Sequence, residues 1–155
     1  MEQIAVKNTC PWRISFKSAD FENGYSLNPL EETTLSADEV AFQIKTRNQG
    51  FIGEDGSGKH APIQLTNLEQ YNKLFGVEKT KLPDYFSESV YKKLVKMKDS
   101  KKFMDALEKN VITESDKRRL ICFSREDKET LNNAPDWMQW AIENYTKMRI
   151  DAKFA

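Results

Sequence analysis

The stretch Trp12-Arg-Ile-Ser-Phe-Lys17 alternates strictly between apolar and polar residues. In an extended chain successive side chains point to opposite faces, so Trp12, Ile14 and Phe16 share one face and the polar residues share the other. This period of two predicts a half-buried antiparallel strand. It therefore favours a β-rich fold for the N-terminal half of the chain.

Other short extended segments surround this strand and are bounded by turn residues. Residues 3–8 carry Ile4 and Val6 on one face, and the pair Asn23-Gly24 predicts a tight hairpin turn. Further strands are predicted over three short segments: residues 25–27, 33–35 and 61–66.

A capping box predicts the first helix. In Ser36-Ala-Asp-Glu39 the Ser side chain caps the backbone and the Glu side chain reaches back to it. Val40, Ala41 and Ile44 then share one helical face, and Gly50 is placed to follow the end of the helix. Apolar and polar residues also alternate over this segment, which would instead indicate a strand. We prefer the helix.

A second capping box, Thr66-Asn-Leu-Glu69, predicts another short helix, which Gly76 ends. Its apolar residues recur at helical spacing: Leu68, Tyr71, Leu74 and Phe75. The character of the sequence changes at Gly76, because longer helical patterns replace the short alternating segments from there on.

Residues 77–155 carry the 3.6-residue period of amphipathic helices. Four helix starts are predicted, near Pro83 and at Ser100, Thr113 and Pro135. The residues expected to face inward are Phe86, Val90, Tyr91, Leu94, Val95, Met97, Phe103, Met104, Leu107, Leu120, Ile121, Ser124, Trp137, Met138, Ala141, Ile142, Tyr145 and Met148.

Together these patterns predict an α+β fold in two domains. Residues 1–76 are expected to form a small antiparallel β-sandwich or barrel with one or two short helices. Residues 77–155 are expected to form a helical bundle with short connections.

The charge balance restricts the expected partners. The 155 residues include 24 Lys/Arg and 24 Asp/Glu, so the chain has no net charge with which to coat nucleic acid or a membrane. No apolar run approaches the ~18 residues of a membrane span, and no secretory leader is evident. We expect a protein made in a cytoplasm, with no membrane and no nucleic-acid partner.

Two surface features are candidates for partner contacts. Six lysines lie within residues 92–102, namely Lys92, Lys93, Lys96, Lys98, Lys101 and Lys102. Such a run is usually a solvated face, and the alternative is docking on an acidic partner surface or on a nucleic-acid backbone. Trp140 lies on the flank of the last predicted helix, where we favour the edge of the core over an exposed, partner-facing position.

The residues that commonly carry catalysis are scarce. His60 is the only histidine, and the two cysteines, Cys10 and Cys122, are far apart in sequence. We expect two buried free thiols rather than a disulfide. A metal cluster of Cys and His is impossible with these numbers, and nothing selects a catalytic pair of carboxylates. We therefore expect a protein that is not an enzyme, with no catalytic residues, cofactor, metal or small-molecule substrate.

The segment Gly53-Glu-Asp-Gly-Ser-Gly-Lys-His60 reads G-x-x-x-x-G-K-H, one residue away from the phosphate-binding P-loop. A P-loop also needs a buried strand before it, a helix starting at its Lys and a hydroxyl after the Lys, and these are missing here. We interpret Gly53, Gly56, Gly58 and His60 as parts of a structural turn. A nucleotide-binding protein using this loop is the third functional hypothesis.

The segment Asn48-Gln-Gly-Phe51, continued by Gly53-Glu-Asp-Gly-Ser-Gly-Lys-His-Ala-Pro-Ile63, resembles small accessory proteins of tailed bacteriophage particles. The resemblance implies an N-terminal β domain carrying this loop and a helical C-terminal region. The stretch from Phe103 to Asp116 is also similar to helix-turn-helix segments of phage structural proteins.

The resemblance implies a structural virion component in the head, neck or tail. It would be assembled in the host cytoplasm and would contact other virion subunits in many copies. The alternative is a cytoplasmic adaptor or regulator that binds another protein through its helical half.

Overall fold

The computed structural model describes residues 2–150. These residues have a mixed α+β structure, and the chain divides into two compact units between Tyr85 and Phe86. We call residues 2–85 the N-terminal unit and residues 86–150 the C-terminal unit. The sequence placed the division at Gly76, but residues 77–85 lie in the N-terminal unit, where Val77 and Leu82 pack against the apolar core.

The N-terminal unit contains two small antiparallel sheets and three helices. Its elements are β1 (Gln3–Asn8), β2 (Ile14–Lys17), β3 (Gly24–Leu27), β4 (Glu32–Ser36), α1 (Ala37–Lys45), α2 (Gln49–Ile52), β5 (Ile63–Leu65) and α3 (Leu68–Phe75).

In the larger sheet β1 lies between β4 and β5. Ile4 is opposite Leu35 and Val6 is opposite Leu65, and all four side chains are buried. The predicted apolar face of β1 therefore covers the core of this unit.

The smaller sheet is the hairpin of β2 and β3, in which Phe16 is opposite Tyr25. The prediction of a tight turn at Asn23-Gly24 is wrong, because residues 18–23 connect the strands and Gly24 already belongs to β3. The Asp20 carboxylate accepts hydrogen bonds from the N–H groups of Glu22 (2.9 Å) and Asn23 (3.1 Å), which stabilises the longer loop.

Helix α1 confirms the helical interpretation of this segment. Its cap, Ser36, accepts from the Glu39 N–H at 3.2 Å, while the Glu39 carboxylate accepts from the Ala19 N–H at 3.0 Å. The Gln43 amide donates to the Lys17 carbonyl at 2.8 Å, so α1 is tied to the hairpin. The predicted end at Gly50 is wrong, since α1 ends at Lys45 and Gly50 lies inside α2.

Helix α3 is capped by Asn67 rather than by Thr66. The Asn67 side chain accepts from the Gln70 N–H at 3.0 Å. Gly76 ends the helix with a left-handed φ of 67°, as predicted.

The C-terminal unit contains five helices among the residues up to 150. They are α4 (Glu88–Leu94), α5 (Ser100–Asn110), α6 (Glu114–Glu126), α7 (Lys128–Asn132) and α8 (Asp136–Thr146). The predicted start near Pro83 is wrong, because α4 begins at Glu88 with Ser87 as its cap. The short helix α7 was not predicted.

The predicted start of α6 at Thr113 is confirmed. Thr113 and Asp116 form a capping box there, and Asp116 has a second function. The Asp116 carboxylate forms an ion pair with Arg119 at 2.7 Å, and both side chains are completely buried. Asp116 also accepts from the backbone N–H groups of Ile112 and Thr113. These hydrogen bonds compensate the desolvation of the buried charges and hold the start of α6 in the core.

Neither cysteine forms a disulfide, as predicted; Cys10 is buried, but Cys122 is only half-buried, so the expectation of burial is wrong for Cys122. Within residues 2–150, none of the helices combines the length and the apolar character that a membrane-spanning segment needs.

Candidate functional site

The glycine-rich loop is a tightly packed connection between α2 and β5. Gly53, Gly56 and Gly58 have left-handed φ values of 74°, 84° and 86°. A Cβ on Gly53 would lie 2.6 Å from the Lys59 carbonyl oxygen, and a Cβ on Gly58 would lie 3.3 Å from the Tyr71 ring. The glycines are therefore required by backbone conformation and close packing, as the structural interpretation predicted.

The backbone N–H groups of this loop are largely used inside the N-terminal unit. Gly58 donates to the Ile52 carbonyl at 2.7 Å, and His60 donates to the Asp84 carbonyl at 2.8 Å. His60 is 6% exposed and has a left-handed φ of 58°. The loop follows a one-turn helix and leads into a strand, so it lacks the strand–loop–helix context of a P-loop.

All six lysines of the predicted cluster are exposed. They lie on α4, at the junction that follows it, and in the first turn of α5. Lys92 forms an exposed ion pair with Glu88 at 3.5 Å, a type of pair that contributes little to stability. The cluster is therefore a solvated face in the isolated chain, and its charges are accessible to a partner.

A groove borders this cluster and runs along α4 toward α7. It contains a cavity of about 370 Å³ whose floor includes Tyr91, Val95 and Phe123. An adjoining cavity of about 430 Å³ shares Val95, Lys96 and Thr130 with the first. We call these two cavities together the α4–α7 groove.

The two sides of the α4–α7 groove carry opposite charge. Lys92 and Lys96 line one side, and Glu126 and Asp127 line the other. The Tyr91 hydroxyl donates to the Asp127 carboxylate at 3.0 Å across the floor. Burial raises the pKa of Tyr91 well above its usual range, and the hydrogen bond and negative charge of Asp127 add to this. The Tyr91 hydroxyl therefore stays protonated. Its hydrogen bond holds the Asp127 carboxylate in place on the acidic side of the groove.

Trp140 is 67% exposed on α8, so the preference for the edge of the core is wrong. It borders a polar depression that is also lined by Asp136, Gln139 and Glu143. This depression and the α4–α7 groove both include Pro135 in their lining. The structure thus places Trp140 close to the far end of the groove.

No family model, curated protein or solved structure matches this chain. Among residues 2–150 no three His, Cys, Asp or Glu side chains lie together in a way that could hold a metal ion.

Sequence reasoning identified the lysines but not the groove beside them. The acidic side comes from the end of α6, about 30 positions after Lys96 in sequence. Periodicity reports which residues of one helix share a face, but it does not report which helices are neighbours. A second group of lysines, Lys59, Lys79 and Lys81, was also missed, because Lys59 is about 20 positions away from the other two in sequence.

Proposed function

We propose that the protein is a non-enzymatic structural component of a tailed phage particle, an accessory protein of the head, neck or tail. The resemblance of residues 48–63 to accessory virion proteins supports the class. The finer fold, a small sandwich or barrel followed by a helical bundle, is part of the same proposal. In this function the protein acts through protein–protein contacts in the assembled particle.

The observation that carries the proposal is the α4–α7 groove beside six exposed lysines. Tyr91, Val95 and Phe123 offer an apolar floor on which a partner side chain can be desolvated. Interfaces are typically built this way, with an apolar centre and a polar rim. The exposed indole of Trp140 is of the residue type most enriched among strong interface contacts.

The lysines determine the kind of neighbour that this face accepts. Because Lys92, Lys96 and Lys98 line the groove and the other three lysines are exposed close to them in sequence, the cluster favours an acidic surface on the partner subunit. Charges of this kind mainly accelerate and orient association, and salt screens them over about 10 Å at 0.1 M. We therefore expect assembly through this face to weaken as ionic strength rises.

The N-terminal unit is proposed to contact a different neighbour. Its larger sheet has β4 and β5 at its two edges. Edge strands present backbone groups that an extended segment of another chain can pair with. Each unit would then join a separate subunit, and the chain would connect the two.

The test begins with mass spectrometry of gradient-purified particles from the phage or culture that carries the gene. We expect peptides of this chain in constant ratio to the major capsid or tail protein. Absence from particles, together with stable association with a soluble cytoplasmic protein, would contradict the virion proposal. It would favour the adaptor function, which the same groove also suits.

Charge-neutralising variants test the role of the groove. The double change Lys92→Gln and Lys96→Gln is expected to reduce incorporation into particles severalfold and to weaken its salt dependence. The matched double change Lys45→Gln and Lys109→Gln removes the same charge from exposed positions outside the groove. Equal incorporation of both variants would exclude the groove lysines from the interface.

A further inference from the structure

We propose that the N-terminal unit binds a phosphate group in a lysine-lined pocket between the glycine-rich loop and the segment that follows α3. The pocket is separate from the α4–α7 groove, and the proposal does not depend on the virion function. From the sequence no small-molecule ligand was expected, and a nucleotide-binding use of the glycine-rich loop was only the third functional hypothesis.

The pocket is a cavity of about 310 Å³. Its lining consists of Ser57, Lys59, Tyr71, Lys79, Thr80, Lys81, Leu82, Pro83 and Asp84. Two segments that are distant in sequence thus face each other, one from the loop and one from the chain after α3. This volume is enough for a phosphate and a modest organic group attached to it.

The walls of the pocket are held in place by hydrogen bonds. The Asn72 side chain bonds both backbone groups of Lys79, accepting from its N–H at 2.9 Å and donating to its carbonyl at 3.0 Å. On the other wall the Tyr71 hydroxyl donates to the Ser57 carbonyl at 2.7 Å. The His60 N–H joins the two walls by donating to the Asp84 carbonyl. The site is therefore preorganised, which lowers the entropic cost of binding.

The pocket concentrates positive charge. Three lysines and one aspartate line it, for a formal charge of +2. The sequence through Tyr85 has nine Lys/Arg and twelve Asp/Glu, so the composition of the unit would predict the opposite sign. Lys81 is 3.8 Å from Asp84 in an exposed pair, which neutralises only part of this charge.

Asp55 is a carboxylate near the pocket, where it interacts with Lys59 and Tyr71, and it is engaged locally. The Ser57 N–H and hydroxyl donate to it at 2.9 Å and 2.7 Å. Burial opposes its ionisation, but these bonds and the charge of Lys59 outweigh burial, so the pKa of Asp55 lies below its usual value. Asp55 fixes the Ser57 turn. Lys79 and Lys81 line the pocket, and a bound phosphate would compete with Asp84 for Lys81.

These groups suit a phosphate better than a neutral ligand. Lysine ammonium groups bind phosphate as point charges, and the nearby Thr80 hydroxyl can add a hydrogen bond. Tyr71, Leu82 and Pro83 provide an apolar wall for an attached organic group, so we infer a small organic phosphate. Binding would depend on side chains, unlike a P-loop, because the loop N–H groups of Gly58 and His60 are already bonded.

The experiment is an NMR titration of the full-length ¹⁵N-labelled chain at low ionic strength. Sodium phosphate, adenosine monophosphate and a short single-stranded oligonucleotide are the probes, and sodium chloride is the ionic-strength control. We expect saturable shifts of the Ser57, Lys59 and Lys79–Leu82 amides with adenosine monophosphate, at a Kd of about 1 mM or tighter. Shifts that fail to saturate, or that chloride reproduces, would overturn the proposal.

The probes also distinguish the sources of the phosphate. Tighter binding of adenosine monophosphate than of phosphate supports a small organic phosphate. If the oligonucleotide binds at least tenfold tighter per phosphate than the nucleotide, the inferred ligand is wrong and a nucleic-acid backbone replaces it.

Matched variants locate the site. The double change Lys79→Gln and Lys81→Gln is expected to weaken binding of the nucleotide at least tenfold. The double change Lys45→Gln and Lys73→Gln removes two lysines of the same unit that do not line the pocket, and it should alter the Kd less than twofold. If both double variants weaken nucleotide binding equally, the nucleotide is attracted to surface charge in general, and the proposed site is refuted.

Discussion

Gly53 has a backbone conformation that other residues rarely adopt, with φ 74° and ψ −177°. We expect Gly53→Ala to lower the free energy of unfolding by about 1–3 kcal/mol, because this region of backbone angles is nearly exclusive to glycine. The added Cβ would also approach the Lys59 carbonyl oxygen to 2.6 Å. Urea unfolding followed by circular dichroism measures the change.

Gly24→Ala is the matched control for this prediction. A Cβ at Gly24 would meet only the Phe16 carbonyl oxygen, at 3.5 Å, and its φ is not left-handed. Its effect on unfolding should therefore be small. If both variants unfold like the wild type, the loop does not need the conformation described for Gly53.

Asp20 provides a pH prediction at the same scale. A hydrogen bond from the Ser18 hydroxyl, followed by those from the Asn23 and Glu22 N–H groups, lowers the pKa of Asp20 to about 2. Since the folded pKa lies below the unfolded value, Asp20 stabilises the loop fully above pH ~4. This contribution is lost as pH falls through about 2.

Ser18→Ala is expected to raise the pKa of Asp20 toward its ordinary value, because the Ser18 hydroxyl is the largest cause of the shift. Carboxyl-carbon NMR over a pH titration measures it. Ser15→Ala, which removes an exposed hydroxyl bonded to Ser26, should leave the Asp20 titration unchanged. An unchanged titration in the Ser18 variant would mean that the hydroxyl is not the cause.

At the level of elements, helix ends follow cap geometry rather than motif alone. Thr66 fits the motif of a capping residue, yet Asn67 makes the hydrogen bond to the Gln70 N–H. We expect Asn67→Ala to destabilise the N-terminal unit by about 1 kcal/mol, the usual cost of losing a cap. Thr66→Ala should have little effect, because the helix is capped by Asn67 and not by this side chain. Denaturant unfolding measures the loss of stability in each variant. A larger loss for Thr66→Ala than for Asn67→Ala would instead support Thr66 as the cap.

Elements with a long, regular pattern were predicted best. The predicted starts of α5 at Ser100 and of α6 at Thr113 match the structure. The start of α4 was missed because residues 83–85 have a different role. Asp84 accepts a hydrogen bond from His60 in the other segment of its unit, and this holds the chain out of a helix.

At the level of the whole molecule, the boundary between units has a direct test. A fragment of residues 1–85 is expected to melt at least about 5 °C above a fragment of residues 1–76. The longer fragment keeps the packing of Val77 and Leu82 and the hydrogen bonds of Lys79 and Asp84. Thermal unfolding by circular dichroism measures the difference. Equal melting temperatures would place the boundary at Gly76.

The sequence alone determined the local elements of this protein. An apolar period of two in β1 and a helical period in α5 are local properties, since each depends on residues close together in the chain. The spacing of the glycines in the loop is also a local property, and it indicated a turn without knowledge of the backbone angles. The mixed α+β composition and the exposed lysines follow from such local information.

Only the tertiary structure decided which distant groups meet. Asn8 donates to the Leu27 and Asn28 carbonyls and ties β1 to the hairpin, although nothing in its neighbourhood predicts this. Likewise, Lys96 and Asp127 line the same groove, and Ser57 and Lys79 line the same proposed phosphate pocket. Such sites arise where separate elements are packed against each other. The hydrogen bonds and buried side chains that bring them together involve residues far apart in the chain, so no local pattern in the sequence records them.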